Sequence, residues 1–177
     1  KINGLLKGIR KDPKKFITSL QPATLNDLVF YSSRSSNLHL VGHCDLIKDF
    51  PELRTDLKKS LSVSYCLDLV NLIMPSEDKN EGVFKLLLLF INELAASCDP
   101  ERLVNIFRIK ILSLSGFKPH LDSCVACDSL IKEKANFSNR LGGLICAACS
   151  TKDRYATPIL KGTIASIIHI EKADWGE

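Results

Sequence analysis

An α+β chain carrying a metal-binding insertion is what this sequence predicts, and three observations carry that reading. Two CxxC pairs, Cys124-Val125-Ala126-Cys127 and Cys146-Ala147-Ala148-Cys149, stand eighteen residues apart. The first fifty residues read as short strands broken by polar turns. After Phe50-Pro51 the apolar spacing changes to that of helices.

The chain opens at Lys1 inside a strand-like stretch, so the sequence is expected to be a piece of something longer. Leu5-Leu6 leads into basic residues, and Asp12-Pro13 marks a turn. Residues 24–31 and 37–47 are expected strands on either side of Ser32-Ser33-Arg34-Ser35-Ser36, a polar hairpin tip. Three short strands are too few to bury both faces of a stable sheet, so a further strand or a helical partner must complete it.

From Leu53 the apolar residues fall at Leu57, Leu61, Tyr65, Leu69 and Ile73 until Pro75 stops the helix. A second helix over about 81–97 is apolar on most of its girth, which suits the centre of a bundle. Asp99-Pro100 supplies a capping carboxylate and a proline for the first turn of a third helix, and Gly116 is its expected C-terminal cap. Residues 157–170 resume a helical pattern. These elements divide the chain into 1–50, a β unit; 51–120, helical; 121–152, the cysteine finger; and 153–177, a return to the helical part.

The cysteine spacing has a chemical reason. Two residues between ligands let a tight turn aim both sulfurs at one tetrahedral ion, and Cys124, Cys127, Cys146 and Cys149 together fill such a site with thiolates. The intervening stretch is long enough for a hairpin, and Gly142-Gly143 gives it freedom to bend. The expected cofactor is one zinc ion, structural because no position is left open for water or substrate. Cys44, Cys66 and Cys98 lack partners at ligand spacing and are expected as small core residues in a reducing cytosol. His169-Ile170-Glu171 matches half of a zinc-deaminase signature but follows both cysteine pairs instead of preceding one, so His169 is expected to be an ordinary helix residue. No phosphate loop, nucleophile elbow or paired carboxylates in a cleft are present, and no enzyme is expected.

Charge is concentrated at one end. Lys1, Lys7, Arg10, Lys11, Lys14 and Lys15 against Asp12 put +5 in the first fifteen residues of a chain whose formal total is +4. Such a cluster suits a polyanion, nucleic acid before membrane, since no amphipathic membrane-binding helix surrounds it. The longest greasy stretch, 83–91, contains Lys85 and is too short to span a bilayer.

Several segments in order resemble the bacterial recombination mediator family RecO. They are Leu6-Lys7-Gly8-Ile9-Arg10-Lys11 with Leu20-Gln21-Pro22, then Phe50-Pro51-Glu52-Leu53-Arg54, then the helix from Phe107 ending in Gly116-Phe117. The finger follows with Phe137-Ser138, Gly142-Gly143 and the four cysteines. The resemblance runs along nearly the whole chain. It implies an N-terminal OB-fold-like barrel, here truncated by its first strand, a helical domain, and a zinc finger inserted between helices. It also implies a cytoplasmic protein that binds single- and double-stranded DNA and anneals complementary strands coated by the single-stranded-DNA-binding protein SSB. With its partner RecR, such a protein helps load the recombinase RecA.

On that reading Lys7, Arg10, Lys11, Lys14 and Lys15 hold phosphates, with Arg34 as an outlying contact, and Phe16, Phe30 and Tyr31 are stacking candidates that strands more often use as core. The SSB tail ends in acidic residues and a phenylalanine, and Arg102, Arg108 and Lys110 beside Phe107 and Ile111 are the expected cationic rim for it. The rival reading is a zinc-ribbon nucleic-acid module of transcription or the ribosome. It is disfavoured because Lys132, Lys134 and Arg140 are partly offset by Asp128 and Glu133 and do not form a basic patch.

Overall fold

The computed structural model describes residues 1–7, 20–131, 134–173 and 175. The chain divides into two compact units, Lys1–Val104 and Asn105–Glu177.

The first unit starts with β1 (Asn3–Leu6), β2 (Leu25–Tyr31) and β3 (Leu38–Lys48). They form a sheet in the order β1-β3-β2, with β1 parallel and β2 antiparallel to β3. The α+β class is as expected. Closure is not: among the described residues the sheet is three-stranded and open, and three strands cannot curl far enough to meet. A bulge lies where Val29 pairs with His43 but Phe30 pairs with Val41. The extra residue is Gly42, where a Cβ would stand 2.8 Å from the Tyr31 ring. The bulge shifts the alternation by one, so Val41 and Cys44 both turn inward and pack with Leu6.

His39 is the buried polar residue of this sheet, 3% exposed. Its Nδ1 accepts from the Ser33 N–H at 3.2 Å, and Nε2 faces Glu77 Oε1 at 3.3 Å. Lys1 is also engaged: its Nζ donates to the Asn71 carbonyl at 2.5 Å and to Asn71 Oδ1 at 2.9 Å. Of the cations counted at the N-terminal end, Lys1 is therefore a tie to the helices.

Helices α1 (Glu52–Thr55), α2 (Leu57–Ile73) and α3 (Glu81–Ala96) follow, and α4 (Pro100–Leu114) begins in the first unit and ends in the second. Three of their starts are capped by side chains. Asp56 accepts from the Lys59 N–H at 3.1 Å, Asn80 from the Val83 N–H at 2.9 Å, and Asp99 from the Arg102 N–H at 3.1 Å. α4 ends as Gly116 predicts: it takes φ +80°, its N–H reaches the Ser113 carbonyl, and the Phe117 N–H reaches that of Leu112. The core of this unit gathers Phe50, Leu53, Val63, Cys66, Val83, Leu86, Phe90 and Leu94. Arg54 pairs with Asp49 at 2.5 Å and holds that carboxyl below its ordinary range. No described helix is long and apolar enough to cross a membrane.

Helix α2 forms where the spacing predicts it; on that stripe Leu57, Leu61 and Tyr65 are exposed, and the buried residues of α2 are Val63 and Cys66. One expectation fails here. Cys98 is exposed, while Cys44 and Cys66 are buried as expected.

In the second unit, β4 (Ala135–Ser138) and β5 (Gly143–Cys146) form a hairpin, and β6 (Thr157–Ile159) adds to β4, giving the order β5-β4-β6. A 3₁₀ turn, Ala147–Lys152, follows β5, and α5 (Lys161–Lys172) follows β6. The helix expected from residue 157 therefore starts four residues later. Thr157-Pro158-Ile159 pairs as an edge strand, where proline's missing N–H costs no ladder bond. α5 lays Ile164, Ile167 and Ile168 over Leu121, Ala135 and Leu144. Lys118 pairs with Glu171 at 2.5 Å, and this carboxylate keeps the Lys118 ammonium protonated above its usual range. His169 lies on exposed α5 surface, as expected.

Candidate metal centre

The first cysteine pair sits in a loop wound around its own backbone. The Cys124 carbonyl accepts from the N–H groups of Cys127 (3.3 Å) and Asp128 (2.7 Å), and the Cys124 N–H returns to the Ser129 carbonyl at 2.9 Å. Asp128 pays for the turn with φ +59°. A short relay props this loop from outside. Ser123 Oγ donates to Asp128 Oδ1 at 2.6 Å, which leaves it to accept from His120 Nε2–H at 2.7 Å. The second pair uses the strand end. Cys146 closes β5, and the 3₁₀ turn brings Cys149 back beneath it.

The hairpin between the pairs depends on both glycines flagged in the sequence. Gly142 takes φ +71°, a region that side chains disfavour. Gly143 bridges to His120, and a Cβ there would stand 2.5 Å from the His120 carbonyl oxygen. Backbone cannot give way as a side-chain end can. Gly143→Ala is expected to destabilise the finger by about 1–3 kcal/mol, read as a lower melting temperature of the metal-loaded protein. An unchanged melting temperature would mean that the contact relaxes freely.

All four ligand atoms, the Sγ atoms of Cys124, Cys127, Cys146 and Cys149, lie within 4.8 Å of one another. Cys127 Sγ and Cys146 Sγ are 3.8 Å apart. A tetrahedron with metal–sulfur bonds of about 2.3 Å has an edge of about 3.8 Å, so the donor set and its size fit one tetrahedral ion. Cys124 and Cys149 are buried, while Cys127 is exposed and Cys146 half-buried. Burial opposes ionisation of Cys124, but the N–H groups of Cys146 and Ala126 bring it down to about 6. The Ser129 hydroxyl, 3.0 Å away, lowers Cys127. Hydrogen bonding to Cys127 and then burial push Cys149 up to about 12. Sulfurs this close resist carrying four charges together unless a cation sits among them. The tetrad can hold a metal ion, and sequence spacing alone found all four ligands; the props His120, Ser123 and Asp128 carried no signal beyond their nearness.

The other expected site residues are placed less closely. Lys7 and Arg34 are exposed, on the turn after β1 and on the tip between β2 and β3. Arg10, Lys11, Lys14, Lys15 and Phe16 lie outside the described residues, as do Lys132 and Glu133. Phe30 and Tyr31, expected as core, are 42% and 65% exposed. Arg102 and Arg108 are exposed on α4, and Arg108 reaches Asn105 Oδ1 at 3.4 Å. Lys110 is half-buried, with its Nζ on the Ala173 carbonyl at 2.5 Å.

Comparison with known proteins adds the lineage. The family profile described as "Recombination protein O C terminal" matches residues 54–177. Among curated proteins, the "DNA repair protein RecO" of Syntrophus aciditrophicus is 31% identical over 172 residues, which is 95% of this chain and 66% of that protein. Its namesake from Alkaliphilus metalliredigens is 31% identical, over 90% of this chain and 64% of that protein. That from Acetivibrio thermocellus is 28% identical, over 96% and 67%. The chain thus spans about two thirds of the length of these relatives. With the profile covering the helices from Arg54 through the cysteine tetrad to the last residue, this chain belongs to the RecO family.

Proposed function

We propose that the chain works in bacterial DNA repair as part of a recombination mediator, a binding protein and not an enzyme. It holds single- and double-stranded DNA, anneals complementary strands coated by SSB, and helps load RecA together with RecR. Family membership is the observation that carries this reading. On it, the open N-terminal sheet is one part of an OB-like barrel, and the basic segment beginning at Lys7 holds phosphates, with Arg34 as a further contact. The tetrad's ion is zinc, bound as a scaffold with no position for substrate. For the SSB tail, α4 offers Arg102 and Arg108 as exposed cations, while Phe107 and Ile111, expected beside them as its apolar contact, are buried, so the contact proposed is to the acidic residues of the tail. Annealing on this account makes no covalent bond: neutralised phosphates let two strands approach, and base pairing does the rest.

The test is annealing of complementary oligonucleotides coated with SSB. Annealing should be lost when Lys7, Arg10 and Lys11 are reversed to glutamate. If about four or five cations are engaged, log affinity for a single strand should fall against log salt with a slope of roughly −3. Absence of both annealing and DNA binding would overturn the mediator reading and put the zinc-ribbon reading first.

A further inference from the structure

The metal-bearing lobe has a cationic edge that the cysteine spacing does not reveal. Ser138, at the end of β4, is fully buried, and its Oγ donates to Asp153 Oδ2 at 2.5 Å while accepting from the Leu141 N–H at 3.0 Å. The other Asp153 oxygen accepts from the Tyr155 N–H at 3.0 Å. The Arg140 guanidinium, on the hairpin tip, donates to the Lys152 carbonyl. Hairpin tip and 152–155 turn are thereby bolted into one edge. The bolt is a carboxylate turned inward, with Asp153 only 7% exposed. What remains on the surface is cationic: Arg140, Lys152 and Arg154 are all exposed.

Tyr155, next to Arg154 in the chain, is 93% exposed. A ring presented that openly, on a turn fixed by a buried carboxylate, is pre-positioned to receive a flat partner. Cations beside it suit an anionic one. Unstacked bases on a phosphate backbone have both properties, and stacking on an aromatic ring tolerates any base. An acidic peptide would use the charges but not the ring face. A duplex keeps its bases stacked on each other and offers the ring nothing.

We propose that Tyr155, with Arg140, Lys152 and Arg154, forms a single-strand DNA ledge on the metal-bearing lobe, with a base stacked on the ring and the flanking phosphates on the three cations. The proposal rests on the DNA-binding reading above and adds a second contact, separate in sequence from the basic segment at Lys7. It gives the lobe a direct part in binding, where a four-thiolate site by itself is only a scaffold.

The experiment measures binding of the metal-loaded chain to a fluorescent oligo-thymidine and to a duplex of equal length, by anisotropy at fixed salt. Tyr155→Ala should weaken single-strand binding about tenfold and leave duplex binding unchanged. Tyr155→Phe should keep wild-type affinity, since the ring and not the hydroxyl is used. Arg140→Glu should weaken single-strand binding and flatten its salt dependence. Metal content and melting temperature of each variant establish that the lobe is intact. Unchanged single-strand affinity in Tyr155→Ala, or an equal loss on duplex, would overturn the ledge. If that result came while reversal of Lys7, Arg10 and Lys11 still abolished binding, the ledge alone would fall. If the wild-type chain bound neither oligonucleotide, the DNA-binding reading would fall with it.

Discussion

Cys124→Ser is expected to strip the finger of its metal and unfold the lobe around it. A hydroxyl does not ionise near neutral pH and so cannot replace a thiolate ligand. The ligands are also core residues: Cys124 and Cys149 are two of the three buried members of the small cluster at the tetrad, with Ile145 the third, beside the separate cluster of Leu121, Ala135 and Leu144. Metal binding in such lobes is folding energy, about 10–16 kcal/mol in zinc-finger peptides. Metal content by mass spectrometry and circular dichroism of the variant give the reading: less than one ion per chain, with loss of β signal. Cys98→Ser, at an exposed position far from ligand spacing, should keep its full ion. Retention of a full ion by Cys124→Ser would mean that three thiolates suffice and that the site has an open position.

Proton release should accompany loading, and its sign follows from the thiols. Cys149 is pushed up to about 12 and holds its proton at neutral pH until a cation displaces it. Cys124 titrates at about 6, so below that pH the metal must displace a further proton. Apparent affinity should therefore fall as pH falls, and fall more steeply below about 6. Competition with a chelator at several pH values reads this directly, and a pH-independent affinity would contradict four-thiolate ligation.

The parts legible in the sequence were those fixed by local chemistry. A CxxC pair, an Asp-Pro start, a glycine that ends a helix and a glycine pair in a hairpin each act over a few residues, and each lies where expected. Helix α2 shows where that reasoning stops. Leu57, Leu61 and Tyr65 recur every four residues, but Val63 and Cys66 lie on nearly the opposite side of the same helix. Periodicity gives the helix; with apolar residues on two faces it cannot choose which one is buried. β6 is not legible in the local pattern because Thr157-Pro158-Ile159 belongs to a sheet whose other strands lie over ten residues upstream. The cationic edge at Tyr155 was missed for a similar reason. Asp153 between Lys152 and Arg154 looks like charge neutralisation in sequence, and only its burial against Ser138 takes it off the surface. The carboxyl's depressed pKa has the same origin, the Ser138 hydroxyl first and the Tyr155 N–H second.

The largest stability effect expected in the first unit is that of Phe90→Ala. Phe90 is 0% exposed on α3, and Leu86 and Leu94, one turn to either side, are 5% and 0% exposed. Truncating a buried phenylalanine to alanine costs about 3–5 kcal/mol, because the lost transfer energy is joined by a cavity that helices packed on one another cannot close. Against a total stability of about 5–15 kcal/mol for an ordinary domain, that is enough to leave a substantial unfolded fraction. Phe84→Ala is the matched control on the same helix. Phe84 is 56% exposed and about 120° away from Phe90 around the helix, so its truncation should cost under about 1 kcal/mol. Urea unfolding followed by far-ultraviolet circular dichroism separates the two. A large drop in midpoint for Phe90→Ala and almost none for Phe84→Ala places the core of α3 on the Phe90 face. Equal losses would mean that the Phe84 face is covered as well, and that the apolar girth of α3 is buried on more than one side.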